Sequence, residues 1–179
     1  MRAELKRMGL AERAAASDRA RALLTAQARW QASQSVLFYA ALPEELDVWP
    51  LLVEALSTTK QVFLPRFVAE SRSYEACQIL DLETDLQAGR FGIREPVSRC
   101  ARLSFSQVDL ILVPGVAFDL HGHRLGRGKG YYDQLLKVVR GTTCGVAFDQ
   151  QITDEIPVEP HDVRLDYIVT PMRWIELKA

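Results

Sequence analysis

Between Gly122 and Gly130 the chain reads GHRLGRGKG, with four glycines, three permanent cations (Arg124, Arg127, Lys129) and no acid. An apolar run, Leu110 to Val113, stops just upstream at Pro114-Gly115. A helical pattern starts just downstream at Tyr131, with Leu135, Leu136 and Val139 apolar. Strand, glycine-rich basic loop and helix start together suit phosphate binding. Glycine tolerates φ > 0 and lets backbone N–H groups approach an anion. The free N–H groups and dipole of a helix start add positive potential, and Arg and Lys neutralise the remainder. Neither common fingerprint fits. A Walker A loop needs Gly, four residues, then Gly-Lys-Ser/Thr; here Gly128-Lys129 is followed by Gly130, and His123 stands where the first glycine belongs. A dinucleotide GxGxxG fails because Gly126-x-Gly128-x-Gly130 closes one residue early. The bland alternative is a solvated turn, which this density of glycine and cation disfavours.

Phosphates commonly bring Mg²⁺, which needs carboxylates and keeps several waters. Asp133 lies one turn inside the helix after the loop, where it serves either a metal or the helix dipole. Asp119, in Phe118-Asp119, reads better as an Asx turn before Gly122 than as a ligand. Asp162 alone is a loop acid, and Glu45, between a strand end and a capped helix, reads alone as surface. Of Tyr131-Tyr132, one ring belongs in the core and the other is free to meet a flat ligand or a phosphate. His121 and His123 read as loop residues, and no Ser-His-acid set stands out.

The whole chain sets bounds. Its 179 residues suffice for one domain with a sizeable core, spanning 1–179. Net charge is −1, so the basic character of the loop is local. That suits small anionic ligands and excludes nucleic acid as the expected partner. Cys77, Cys100 and Cys144 lie far apart without a CxxC pair, which argues against disulfides and structural zinc. No apolar run approaches a membrane span, and the charged, alanine-rich N-terminus is no secretory signal. A cytoplasmic monomer without membrane contact is expected.

Apolar runs place strands at 35–40, 61–64, 74–80, 108–113, 142–147 and 167–169, with the second ended by Pro65-Arg66. Helices are expected within 2–29, broken near Gly9, from Asp47 as cap through Leu56, and from Tyr131 through Val139. Residues 81–89 read as a polar helix or turn, 91–96 as a loop and 97–107 as irregular. Continuous apolar strands alternating with helices predict an α/β fold. Its sheet is open, mostly parallel and flanked by helices on both faces, a three-layer α/β/α arrangement. Ligands then gather beyond the carboxyl ends of the strands.

The run VPGVAFDLHGHRLGRGKGYYD closely resembles the signature of the 5-formyltetrahydrofolate cyclo-ligase family. Tyr39 to Val48, Leu64-Pro65-Arg66, Gly92 to Pro96 and Pro157 to Asp166 resemble further family segments, so the likeness spans most of the chain. The resemblance implies an open α/β fold and ATP- and Mg²⁺-dependent closure of 5-formyltetrahydrofolate to 5,10-methenyltetrahydrofolate. The implied ATP-phosphate loop is Arg124, Leu125, Gly126, Arg127, Gly128, Lys129, Gly130, Tyr131 and Tyr132, with Lys129, Arg127 and Tyr132 at the chemistry. Asp133 and Asp162 match the metal carboxylates, and Ala40 and Glu45 match substrate contacts. An N-terminal ATP-contacting element is filled by Arg2 and Lys6; the spacing to Arg13 and Ser17 also permits a register that begins upstream of Met1. Two other readings stay open: another ATP-dependent phosphotransferase, and a catalytically silent binder of folate or RNA, against which the Asp133/Asp162 pair argues.

Overall fold

The computed structural model describes residues 5, 7–68, 70, 73–89, 92–128, 130–159 and 162–177. Helices α1 (Leu10–Thr25) and α2 (Ala28–Ala32) precede the first strand. Strand β1 (Ser35–Leu37) leads through α3 (Trp49–Leu56) to β2 (Gln61–Val68). Then come β3 (Ser73–Ile79), β4 (Leu86–Ala88), β5 (Arg94–Pro96), β6 (Arg102–Leu103) and β7 (Leu110–Val113). A small hairpin, β8 (Ala117–Asp119) and β9 (Arg124–Leu125), precedes α4 (Tyr131–Leu136). The chain closes with β10 (Thr142–Val146), β11 (Ile152–Thr153), β12 (Tyr167–Val169) and β13 (Trp174–Glu176).

Eight strands form the main sheet in the order β13-β12-β10-β7-β1-β2-β3-β6. Its centre, β12-β10-β7-β1-β2, is parallel. The flanks β13, β3 and β6 join antiparallel. The mostly parallel α/β expectation therefore holds, and the reason lies in side-chain alternation. Val36, Val62, Leu64, Leu110, Leu112, Cys144 and Val169 enter one core with α1, α2 and α3. Leu37, Phe63, Ile111, Val113 and Ile168 enter the other with Leu135 and Leu136 of α4. A strand buried on both faces reads as a near-continuous apolar run rather than an alternating one. Each such Leu or Val contributes about 1.5–3 kcal/mol relative to exposure. The layers are unequal: three helices cover one face, while six-residue α4 and the β8–β9 hairpin cover part of the other.

Several expectations need correction. β2 runs on through Pro65-Arg66 to Val68, because β3 pairs with it along its full length, Phe67 with Tyr74 and Val68 with Ser73. The expected turn at 81–89 and loop at 91–96 contain the two-stranded pair β4–β5. The irregular stretch 97–107 holds β6 and the short turn of helix Phe105–Gln107. Helix α4 stops at Leu136, with Val139 in the closing turn rather than the helix. The cap position of α3 is Val48 rather than Asp47, whose Oδ1 accepts the Trp49 N–H at 2.9 Å from one residue further back.

Candidate active site

Because the five central strands run the same way, their carboxyl ends share one edge of the sheet. Tyr39 and Ala40 follow β1 there, Pro114-Gly115 follows β7 and Phe148-Asp149 follows β10. Such an edge is the usual ligand side of an open α/β sheet. The glycine-rich loop leaves from it, and its first half is a hairpin, not a loop: Phe118 pairs with Arg124 and Ala117 with Leu125. Asp119 organises its turn. One carboxylate oxygen accepts the His121 and His123 N–H groups, both at 2.9 Å; the other lies 3.0 Å from His123 Nδ1 and accepts the Ile156 N–H at 3.1 Å. Burial alone would raise the Asp119 pKa, but these hydrogen bonds outweigh it and hold the group below the ordinary aspartate value. Gln151 secures the preceding turn by donating to Gly115 O at 2.8 Å. Beyond β9 the backbone needs left-handed conformations at Gly128 (φ 78°) and Gly130 (φ 64°), the latter opening α4. No side chain crowds either site, so conformation and not space demands glycine there.

Glu44 and Glu45 sit on the turn after β1. Glu45 is 10% exposed at its side chain; one oxygen accepts the Leu42 N–H at 3.0 Å. Its other oxygen accepts from Arg127 Nε at 3.2 Å and Nη2 at 3.1 Å. Arg127 Nη1 lies 3.0 Å from Glu44 Oε1. Burial raises the Glu45 pKa, which the Leu42 N–H and the Arg127 cation only partly offset. The fold thus joins two positions 82 residues apart, one a candidate substrate acid and the other a loop cation. The turn is braced from behind by one stripe of α1. Arg13 donates to Pro43 O at 3.0 Å, Ser17 Oγ accepts the Asp47 N–H at 3.1 Å, and Arg21 donates to Asp47 O at 2.9 Å.

A second cluster lies one step along the loop. Arg124 donates to Asp133 Oδ1, and its guanidinium carbon stands 5.5 Å from the Tyr132 ring centre. Burial depresses the Arg124 pKa, while Asp133, Tyr132 and Asp162 oppose it, so both candidate metal carboxylates lie within the field of one guanidinium. Asp162 is exposed, and its Oδ2 accepts the Glu159 N–H at 2.8 Å. Tyr132 packs against both cores, and burial raises its hydroxyl pKa, keeping it neutral. Tyr131 and Tyr132 meet edge-on with ring centres 4.6 Å apart; Tyr74 and Phe67 extend this aromatic wall. The Tyr131 hydroxyl and Arg124 Nε are buried without a hydrogen-bond partner among the described residues. A shallow cleft of about 420 Å³, lined by Tyr74, Glu75, Arg102 and Phe105, continues from that wall.

The structure therefore brings together Glu45 with Arg127, and Arg124 with Tyr132 and Asp133. Leu125 and Gly126 continue the hairpin between these clusters, and Ala40 is half-buried at the β1 end. Arg2, Lys6 and Lys129 lie outside the described residues.

The sequence profile of the 5-formyltetrahydrofolate cyclo-ligase family matches residues 1–171. The chain belongs to that family. It is 32% identical to the mouse 5-formyltetrahydrofolate cyclo-ligase, over 94% of this chain and 91% of the mouse chain. It is also 32% identical to that of Escherichia coli K12, over 79% and 80% respectively. The fold superposes on the Aquifex aeolicus 5,10-methenyltetrahydrofolate synthetase with a TM-score of 0.88 at 35% identity, covering 98% of this chain and 88% of that one. The chain is accordingly an enzyme, an ATP-dependent cyclo-ligase of one-carbon folate metabolism.

Within this cyclo-ligase fold, four contributors escaped the sequence reading. Glu44 was passed over as part of a turn. Gln151 carried no visible signal. Asp119 was read as an Asx turn, but its reach to Ile156 was invisible. The α1 stripe did leave a trace, since Arg13, Ser17 and Arg21 recur every four residues on an otherwise alanine-rich helix.

Proposed function

We propose that this chain closes 5-formyltetrahydrofolate to 5,10-methenyltetrahydrofolate, with ATP becoming ADP and phosphate, at the sheet edge where Glu45 meets Arg127. That meeting carries the reading, because one reaction needs a folate acid and a phosphate cation side by side. The formyl oxygen on N5 attacks the γ-phosphorus, and the bond to ADP breaks, giving a phosphorylated iminium. N10 attacks the formyl carbon and loses its proton. The carbon–oxygen bond then breaks and phosphate leaves with the former formyl oxygen. An amide oxygen is a poor leaving group and a phosphate is a good one, so ATP is needed. Little covalent work remains for the protein beyond orientation and charge neutralisation.

Each assigned residue fits one of those tasks. Glu45 accepts pterin N–H groups, and Ala40 contacts the substrate at the β1 end. Arg127 and Lys129 neutralise the transferred phosphate. Arg124 Nε and the Tyr131 hydroxyl are buried donors without an acceptor among the described residues, an arrangement that folded proteins avoid unless something else binds there. Tyr132 supports Arg124 with its ring and stays neutral. Leu125, Gly126, Gly128 and Gly130 supply backbone to the phosphates, and Arg2 and Lys6 reach the nucleotide. Asp133, paired with Arg124, and Asp162, whose charge Arg124 also feels, are hard oxygen donors, and no group of three or more His, Cys, Asp or Glu that could hold a metal is found among the described residues. Two carboxylates, with phosphate and water completing the set, suit Mg²⁺, which would draw charge off the phosphates there. No described helix is long and apolar enough to cross a membrane; the reading is of a cytoplasmic monomer acting on small molecules.

The test is spectroscopic. Adding the protein to 5-formyltetrahydrofolate, ATP and Mg²⁺ should raise the near-ultraviolet absorbance of the methenyl product, with one ADP formed per ring closed. ADP formation without that chromophore would reject the reading.

A further inference from the structure

Arg127 places each of its three guanidinium nitrogens against a carboxylate: Nε and Nη2 donate to Glu45 Oε1 at 3.2 and 3.1 Å, and Nη1 meets Glu44 Oε1 at 3.0 Å. Resting on the functional reading above, we infer that the Arg127–Glu45 pair couples the two substrates, so that each strengthens the binding of the other. Two carboxylates share the Arg127 cation, so its charge is already engaged when a phosphate arrives. Turning the Nε–Nη2 edge toward a phosphate strips Glu45 of its counter-charge. Glu45 is 10% exposed, and a buried carboxylate left unpaired is costly. Pterin N–H groups would remove that cost by donating to the same oxygens. The exchange is favourable when both substrates are present and unfavourable when only one is. Glu44 differs from Glu45 in exposure, at 46%, so its link to Nη1 is a weak tether that steadies Arg127 without competing strongly.

Linkage requires the coupling to be reciprocal. Titration calorimetry of the full chain, with the β,γ-imido analogue of ATP and Mg²⁺, should show tighter analogue binding when 5-formyltetrahydrofolate is saturating, by about fivefold or more. The analogue should tighten folate binding by the same factor. Glu45→Gln removes the competing charge while keeping the shape. Without folate it should bind the analogue about threefold more tightly than the parent chain, as expected for release of a partly exposed ion pair. Folate should then add little. Misfolding would weaken the analogue rather than tighten it, and the reciprocal titration on the unaltered chain needs no variant. Analogue affinity indifferent to folate, or weakened by Glu45→Gln, would overturn the coupling. No analogue binding to the unaltered chain would overturn the ATP reading as well.

Discussion

At the scale of single residues, neighbourhood and not residue type separates the acids. Asp119 and Asp133 both flank the same basic loop in sequence. Asp119 is fully buried and saturated by backbone N–H groups and His123, so it is structural. Asp133 is partly exposed and, among the described residues, pairs with Arg124 alone, which leaves oxygens for a ligand. Asp133→Asn and Asp162→Asn should each raise the Mg²⁺ concentration for half-maximal rate, since each removes negative charge from one shared ion; unchanged Mg²⁺ titrations in both would move the metal elsewhere. Lys129→Ala should slow turnover on the order of 10²-fold by removing charge stabilisation from the transferred phosphate. Glu45 read as surface from its sequence neighbours, whereas the structure buries its side chain to 10% exposure against Arg127. Glu45→Gln offers a donor where pterin N–H groups need an acceptor. Folate KM should rise about tenfold, equivalent to roughly 1.4 kcal/mol, measured by initial rates at saturating ATP.

At the scale of elements, the parallel strands were legible because burial on both faces leaves an unbroken apolar run. β4, β5, β6 and β13 were not, since two or three residues at a sheet edge carry no period and are held by their pairing partners. The glycine-rich basic loop was legible by composition, but its hairpin half was hidden, because polar Asp119 and His123 form the turn by hydrogen bonding rather than by hydrophobic pattern. That hairpin depends on a charge. Asp119→Asn puts an amide N–H where a carboxylate oxygen now faces the His123 ring and the Ile156 N–H. It should cost at least about 2 kcal/mol, from the loss of charge-assisted bonds, read from the urea midpoint. Acid sensitivity follows with a definite sign. The folded-state pKa of Asp119 lies below its ordinary value of 3.8. Its contribution is therefore complete above that value and lost as pH falls through the folded pKa. The Asp119→Asn variant should lose stability less steeply on acidification than the parent chain.

At the scale of the whole molecule, near-neutral charge pointed to small anionic ligands and the scattered cysteines argued against a disulfide framework. Cys77, Cys100 and Cys144 are all free and buried. Burial pushes their thiols up, that of Cys77 to about 11. Thiolate is the reactive form, so labelling by a water-soluble thiol reagent at neutral pH should wait on opening of the fold. It should be slow in the native chain and fast in denaturant. Rapid labelling with full activity would mean that one of these three segments is not packed as described. What the sequence could not reveal is the closure of distant segments onto one edge, Glu45 onto Arg127 above all, because that contact arises from sheet order and not from any local pattern.

The central claim is that the formyl oxygen attacks ATP and departs as part of phosphate. Turnover of 5-formyltetrahydrofolate carrying ¹⁸O in the formyl group, followed by mass analysis of the phosphate released, tests it directly. The account predicts one ¹⁸O atom in each phosphate and none in ADP. Unlabelled phosphate, with the ¹⁸O recovered in water, would contradict it.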